Sequence, residues 1–376
     1  MNIGFDLRTI AQGRQTGVEE YTLSILREIL KSKDDNFLLF YNAFSKIDLE
    51  EDILNKENVF LNDFNIPNKL LYIFLLFNIP KFDKIVGGTD VFFSPHFLSA
   101  PTTKKTKKII TFHDLSFLHY PEFFLFKKKY WHLSQHPKKQ AMEADRIIAI
   151  SESTKSDLVN FYNIKEEKIS VIYSGVGESF KQISKNNKNL ERVKNKYNLP
   201  DNFILYLGTI EPRKNILGII EAFEAVREKR KISLVIAGSF GWLFSDIIKR
   251  VKISKFRDDI IFTNFIDQDD KVYLYNLAEI FVYPSFFEGF GFPPLEAMAS
   301  GVPTITSNCS SLPEVVGNAG IMIDPYKPSE IAEAIDMVLE DNNLRNILSI
   351  RGVDQAKNFN WQKTGIETLN IIKSFK

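Results

Sequence analysis

The sequence has a single cysteine, Cys309, in 376 residues. That excludes a disulfide within the chain and a structural zinc site built from several thiolates. Glycine is sparse, at 18 residues. No G-x-G-x-x-G follows the first apolar run, which removes the nicotinamide fingerprint, and a Walker loop and an HExxH helix are missing too. Long hydrophobic runs are also absent. Spanning a bilayer takes about 18–20 apolar residues, whereas residues 70–79 (LLYIFLLFNI) stop short and contain Asn78. Asp6 and Arg8 interrupt the amino terminus, so no signal-peptide core forms there. Nor does one sign of charge dominate: 48 Lys and Arg against 47 Asp and Glu leave a net charge of +1, which gives no electrostatic footprint for nucleic acid. These absences lead to the expectation of a cytoplasmic chain, soluble or attached to the inner face of the cytoplasmic membrane.

What is present is a regular alternation. Strand-like apolar runs occupy residues 3–7, 37–41, 91–94, 109–112, 147–150 and 168–172, and a second series occupies 203–207, 233–237, 260–263, 280–283, 304–306 and 321–323. The runs are continuously apolar, as expected of strands covered on both faces. Helical patterns lie between them, at 19–31, 153–161, 216–229 and 328–339. Repeated β-α-β units predict doubly wound parallel sheets. The length exceeds the roughly 250–300 residues that one core sustains, and the pattern occurs twice. The expected division is therefore 1–180 and 201–359, two Rossmann-like α/β domains facing a cleft. The polar, basic stretch 181–200 is expected to be the linker. Residues 361–375 read as an amphipathic helix.

Ligands of such sheets sit beyond the carboxyl ends of the strands, and two segments there carry chemistry. In residues 208–215 (GTIEPRKN), Gly208 permits a tight strand exit, and Arg213 and Lys214 precede a helix whose free N–H groups already favour an anion. This makes a phosphate site. In residues 284–296 (PSFFEGFGFPPLE), Gly289 and Gly291 let the backbone approach a ligand. Glu288 in the loop and Glu296 in the first helical turn are expected to face one pocket as acceptors for sugar hydroxyls.

The run 288–296 resembles the E-x7-E element of retaining glycosyltransferases with the GT-B fold. Residues 297–305, 311–315, 320–325 and 208–215 are similar to glycosyltransferase family 4. The resemblance implies roles by position. Arg213 and Lys214 would bind the donor diphosphate, Glu296 the nucleotide ribose, and Glu288 the donor sugar, with the backbone of Phe290 and Gly291 nearby. His113, in Thr111–Asp114 (TFHD), resembles the family's active-site histidine and would contact the donor sugar. Residues 13–18 (GRQTGV) resemble its glycine loop, with Gly17 in the second position, where Thr-Gly-Val departs from the paired glycines. Asp6 and Arg8 resemble the opening FD-x-R of bacterial polysaccharide mannosyltransferases.

The resemblance implies transfer of a hexose, with GDP-mannose the first expectation as donor, to a glycan or polyprenyl-linked acceptor in O-antigen or lipopolysaccharide synthesis. Retention of configuration follows, by front-side attack or double displacement. No Asp-x-Asp metal motif lies near the expected pocket, so neither metal nor cofactor is expected. A UDP-sugar donor, an epimerase of the same fold and a non-catalytic nucleotide-sugar-binding subunit are the alternatives. The last helix is expected to cross back to the first domain, as in GT-B proteins, so that closure brings His113 opposite Lys214. Residues 70–82, 123–131 (FFLFKKKYW) and 104–108 (KKTKK) combine aromatics and lysines, which suits an anionic bilayer.

Overall fold

The computed structural model describes residues 1–12, 16–44, 49 and 51–376. The chain forms two units. The first comprises Met1–Leu115, Lys127–Gly175 and Trp361–Lys376, and the second Ser116–Phe126 and Val176–Asn360. The closing helix Trp361–Lys373 thus belongs to the first unit.

The first unit is built on β1 (Asn2–Asp6), β2 (Asn36–Asn42), β3 (Val59–Phe64), β4 (Val91–Ser94), β5 (Lys107–Phe112), β6 (Arg146–Ala149) and β7 (Ile169–Val171). They form one parallel sheet in the order β3-β2-β1-β4-β5-β6-β7. The sequence reading misses β3, an edge strand paired only with β2. Its residues are largely half-buried or exposed, and Asn62 and Asp63 interrupt its apolar residues, so no continuous apolar run marks it. Helix Gly17–Ile29 begins with a capping box: Thr16 N–H donates to Glu19 Oε2 at 2.8 Å, and Thr16 Oγ1 accepts from Glu19 N–H.

In the second unit, β8 (Phe203–Leu207), β9 (Ser233–Ala237), β10 (Ile260–Asn264), β11 (Ile280–Tyr283), β12 (Thr304–Ser307) and β13 (Ile321–Ile323) make a parallel sheet. Its order is β10-β9-β8-β11-β12-β13. Each sheet therefore reverses its winding once, at β1/β4 in the first unit and at β8/β11 in the second, and in each open α/β sheet the reversal is where ligands bind.

Two features depart from the expected layout. Residues 181–200 are not an extended linker, because they contain the helix Lys188–Lys196 within the second unit. The charge of this stretch hides an apolar stripe, Leu190 and Val193, both buried. Its cations converge on buried Asp270, with Arg192 Nη2 and Lys196 Nζ each 2.6 Å from that carboxylate. The second departure is Ser116–Phe126, which leaves the first sheet after β5 and joins the second unit. It is anchored there by aromatic contacts: His119 lies 4.7 Å from Phe287, and Tyr120 Oη lies 3.2 Å from Tyr326 Oη. The Trp242 indole also donates to the Phe123 carbonyl.

Candidate active site

Strand β8 delivers the chain to Gly208, and a 3-10 turn over Pro212–Lys214 aims two cations at the β8/β11 edge. Asn215 takes a left-handed conformation at φ 56° as the N-cap of helix Ile216–Arg227, and its amide donates to the Pro325 carbonyl at 2.7 Å. The close approach of β8 and β9 fixes one glycine. A Cβ on Gly238, at φ +130°, would lie 2.1 Å from the Gly208 carbonyl oxygen, so only glycine is tolerated there.

Lys214 is buried, and its ammonium donates to Glu288 Oε1 at 2.6 Å and to Tyr283 Oη at 2.7 Å. Arg213 donates to Glu211 Oε1 at 2.8 Å and to the Phe287 carbonyl at 2.5 Å, and its Nη1 lies 3.3 Å from Glu288 Oε2. Burial opposes the Glu288 charge, but the two adjacent cations outweigh it and hold the carboxyl at about 2. For Lys214, burial and the neighbouring Arg213 win, lowering its pKa from the ordinary lysine value. The result is a fixed array of two cations and two carboxylates whose geometry is set before any ligand arrives.

The following loop is held from behind. Ser311 Oγ donates to the carbonyls of Glu288 and Phe290, at 2.9 and 2.7 Å, and Glu288 N–H donates to Ser310 Oγ at 2.8 Å. Gly289 is buried, and Gly291 is the N-cap of helix Phe292–Ala299 at φ 119°. A Cβ on Gly291 would meet Leu312 Cδ2 at 2.8 Å.

Glu296 differs from expectation. It is the fifth residue of its helix, beyond the first turn, because Phe292 rather than Pro293 or Pro294 opens that helix. Its contacts are with Tyr275, whose hydroxyl donates at 2.8 Å, and with Lys271 at 4.0 Å. Burial raises its pKa. The structure thus joins Glu288 to Arg213 and Lys214, while Glu296 has a separate set of partners.

In the first unit, His113 follows β5. Its Nε2 lies 2.7 Å from the Pro95 carbonyl, which identifies Nε2 as the proton-bearing nitrogen, and its ring packs edge-on against Tyr21 at 4.8 Å. Burial lowers its pKa, so the imidazole is neutral near pH 7. Gly17 is exposed as the first residue of its helix. Residues 13–15 of the expected glycine loop lie outside the described residues.

Sequence reasoning missed Tyr283, Glu211, Tyr206, Tyr275 and Lys271. Tyr283 is the last residue of a strand and Glu211 sits inside the quoted cation motif, so both were on view as residues without a role. Tyr206 stacks on Tyr283 with centroids 5.7 Å apart and steadies the lysine's partner. A further correction concerns the basic run 104–108: Lys108 is buried against Gln140, whose side-chain oxygen accepts from its ammonium, and burial lowers its pKa to about 8. It is not part of a basic surface.

Comparison with known proteins adds to this geometry. A family model described as Glycosyltransferase Family 4 matches residues 16–180, and one described as Glycosyl transferases group 1 matches residues 187–354. The chain is similar to O-antigen chain mannosyltransferase B of Escherichia coli, at 33% identity over 77% of this chain and 74% of that protein. It is 35% identical, over 69% of its own length, to the serotype-specific mannosyltransferase WbdA of Escherichia coli, of which it spans only 32%. Its fold is similar to that of HepE from Anabaena in complex with UDP and glucose. The TM-score is 0.75 with full coverage of both chains, at 16% identity.

Proposed function

The chain belongs to the family 4 and group 1 glycosyltransferases of GT-B fold, and on that premise we propose that it transfers a mannosyl residue from GDP-mannose to a glycan or lipid-linked acceptor in surface-polysaccharide synthesis, with retention of configuration. The observation that carries this reading is the Arg213–Lys214 pair, fixed by Glu211, Glu288 and Tyr283 at the β8/β11 edge. The mannosyl assignment draws on the names of the relatives.

In this reaction the bond between the anomeric carbon and the β-phosphate oxygen breaks. Positive charge grows on the sugar and negative charge on the departing diphosphate. Arg213 and Lys214 stabilise the departing charge, and donors fixed in advance at such a position are the largest contribution in many enzymes. They also supply the charge that a divalent ion would bring, so transfer proceeds without metal or other cofactor. The acceptor hydroxyl attacks from the side of the leaving phosphate, which takes its proton. This route is favoured over double displacement because Glu288, the nearest carboxylate, is committed to two cations and held at about 2, which makes it a poor nucleophile. Glu288 and the backbone of Phe290 and Gly291 serve the donor sugar, Glu296 the ribose, and Gly208 and Gly17 the close backbone approaches. His113 contacts sugar during transfer.

A peripheral seat on an anionic bilayer belongs to the same reading. Helix Asn68–Leu76 buries only Leu71 and exposes Leu70, Ile73, Phe74 and Leu76, and Tyr130 and Leu133 are exposed beside Lys127 and Lys128. Among the described residues no helix is long and apolar enough to cross a membrane.

Thermal unfolding against GDP-mannose, UDP-glucose, GDP and UDP tests the donor. A ligand of the folded state at a hundredfold excess over its dissociation constant adds about 2.7 kcal/mol. Selective stabilisation by the guanosine compounds is expected, and selective stabilisation by UDP-glucose overturns the mannosyl assignment. The anomeric configuration of the product, read by NMR, tests retention. Conversion of the donor sugar without acceptor would mark an epimerase instead. Failure to sediment with anionic vesicles at low salt sinks the membrane seat.

A further inference from the structure

The flank of the first sheet holds a cavity of about 100 Å³ whose lining includes Leu75, Leu76, Ser99, Lys108, Lys139 and Gln140. All of these belong to the first unit, and the donor chemistry uses none of them. Lys108 is the second residue of β5, four residues before that strand ends at Phe112, so the cavity opens on the flank of the sheet and not beyond its carboxyl edge. Leu75 and Leu76 close the helix Asn68–Leu76, whose exposed face carries Leu70, Ile73, Phe74 and Leu76. Lys139 and Gln140 stand on helix Pro137–Glu143. Leu76 and Lys139 are exposed, so the cavity reaches the surface.

Lys108 brings a charge into this cavity without a counter-ion. It is 5% exposed, and its ammonium donates to Gln140 Oε1. An ammonium has three hydrogens to donate, and among the described residues no carboxylate pairs with this one. Burial lowers its pKa to about 8, which leaves it mostly charged near pH 7. A buried charge without an opposite partner is costly. The Glu143 carboxylate also lines the cavity, but Lys139 stands 3.8 Å from it, so one positive charge is left over. Gln140 then orients a second donor. Its Nε2 donates to Ser99 Oγ at 3.3 Å, and the Ser99 hydroxyl keeps its own hydrogen to give. The Ser99 backbone is pinned on both sides, its N–H donating to Gln135 Oε1 at 3.3 Å and its carbonyl accepting from Arg8 Nη2 at 3.0 Å.

We propose that this cavity binds one phosphate group, held by the Lys108 ammonium and the Ser99 hydroxyl, with Lys139 at its mouth. A charged donor bonds an anion more strongly than a neutral one, and the anion supplies the counter-charge that the buried ammonium lacks. The site goes beyond the glycosyltransferase reading and does not depend on it. Two sources share this chemistry. One is a lipid headgroup, because Leu76 joins the cavity to the exposed apolar face of its helix. The other is free phosphate.

The test uses the full chain as wild type, Lys108→Met and Ser99→Ala, in two assays at pH 7 and constant ionic strength. Equilibrium dialysis measures radiolabelled inorganic phosphate. Sedimentation measures binding to phosphatidylcholine vesicles containing phosphatidic acid. Arg213 and Lys214 are unchanged in all three chains, so a difference between them reports the cavity. Lys108→Met should weaken phosphate binding at least about tenfold and Ser99→Ala about fivefold, as for a charged and a neutral hydrogen bond. Loss in the sedimentation assay, reversed for wild type by competing free phosphate, identifies a lipid headgroup. Loss confined to dialysis identifies free phosphate. Wild-type behaviour of either variant in both assays overturns the proposal. So does an equal loss in Lys104→Met, an exposed lysine of the same run, which marks diffuse charge instead of a site. Ser99→Ala removes one oxygen atom and keeps the test alive should Lys108→Met fail to fold. Failure of the glycosyltransferase reading shows separately, as absence of stabilisation by any nucleotide-sugar.

Discussion

At the β8/β11 edge, Arg213 and Lys214 stand beside two carboxylates and keep their charges in place. At the corresponding β1/β4 edge, Arg8 is paired with Asp6, and His96, near it, lies 5.5 Å from His113. The two sheets wind alike and both present their loops where ligands bind, but the chemistry differs. One edge carries two cations that share a carboxylate, and the other carries imidazoles held neutral by burial beside an arginine paired with Asp6. The difference comes from pairing as much as from residue type, since a cation sits at each edge. Arg8 has its carboxylate clamped along the guanidinium fork, whereas Glu288 is shared between Arg213 and Lys214.

The largest effect that would sharpen this contrast is Lys214→Ala. Turnover with GDP-mannose should fall about 100- to 1,000-fold, the loss typical of removing one fixed donor from developing negative charge. The loss should be the same with and without Mg²⁺ in a radiolabel transfer assay, and near-normal rates would erase the assigned role of the second edge.

Glu288→Gln comes next. It leaves Lys214 buried with Tyr283 as its remaining side-chain partner, which should cost about 3 kcal/mol in denaturant unfolding at pH 7. The sign with pH follows from a lowered carboxyl. Its stabilisation is fully present above the unfolded value of 4.5 and is lost as pH falls toward about 2. The gap between wild type and variant should therefore be constant above that range and close below it.

The first edge should titrate elsewhere. Its imidazoles are lowered, so their neutral forms stabilise the fold above 6.5, and that contribution is lost as pH falls toward about 4 for His132. His132→Phe should flatten the stability profile within this window and leave the more acidic window of Glu288 intact. A shared acid limb for both variants would break the comparison. The smallest effect is expected from Thr16→Ala, which removes the cap of helix Gly17–Ile29 and should cost about 1 kcal/mol in the same unfolding assay.

Legibility in the sequence followed how local each feature is. Twelve of the strands announced themselves as mainly apolar runs, as expected where both faces of a parallel sheet are covered. Strand β3 did not, because Asn62 and Asp63 interrupt its apolar residues and most of its positions are half-buried or exposed. Arg213, Lys214 and Glu288 were legible because each lies within a short motif at a strand end. His96 was not. It is 17 residues from His113, and the two meet only because β4 pairs with β5, Ser94 opposite Ile110, so that the loops beyond both strands share one edge. The helix in 181–200 was hidden by charge, though Leu190 and Val193 have helical spacing.

The sequence by itself determined twelve of the strands, the alternation of strands with helices, and that two cations follow β8. Those properties depend on residues close along the chain. Only the tertiary structure decided which charges cancel, which stay available, and which histidines are kept neutral. The physical reason is desolvation. The cost of a charge and the partner that offsets it are set by neighbours brought in by strand pairing, such as Tyr283 and Glu288 around Lys214 or Pro95 against His113, and their order along the chain does not specify that meeting.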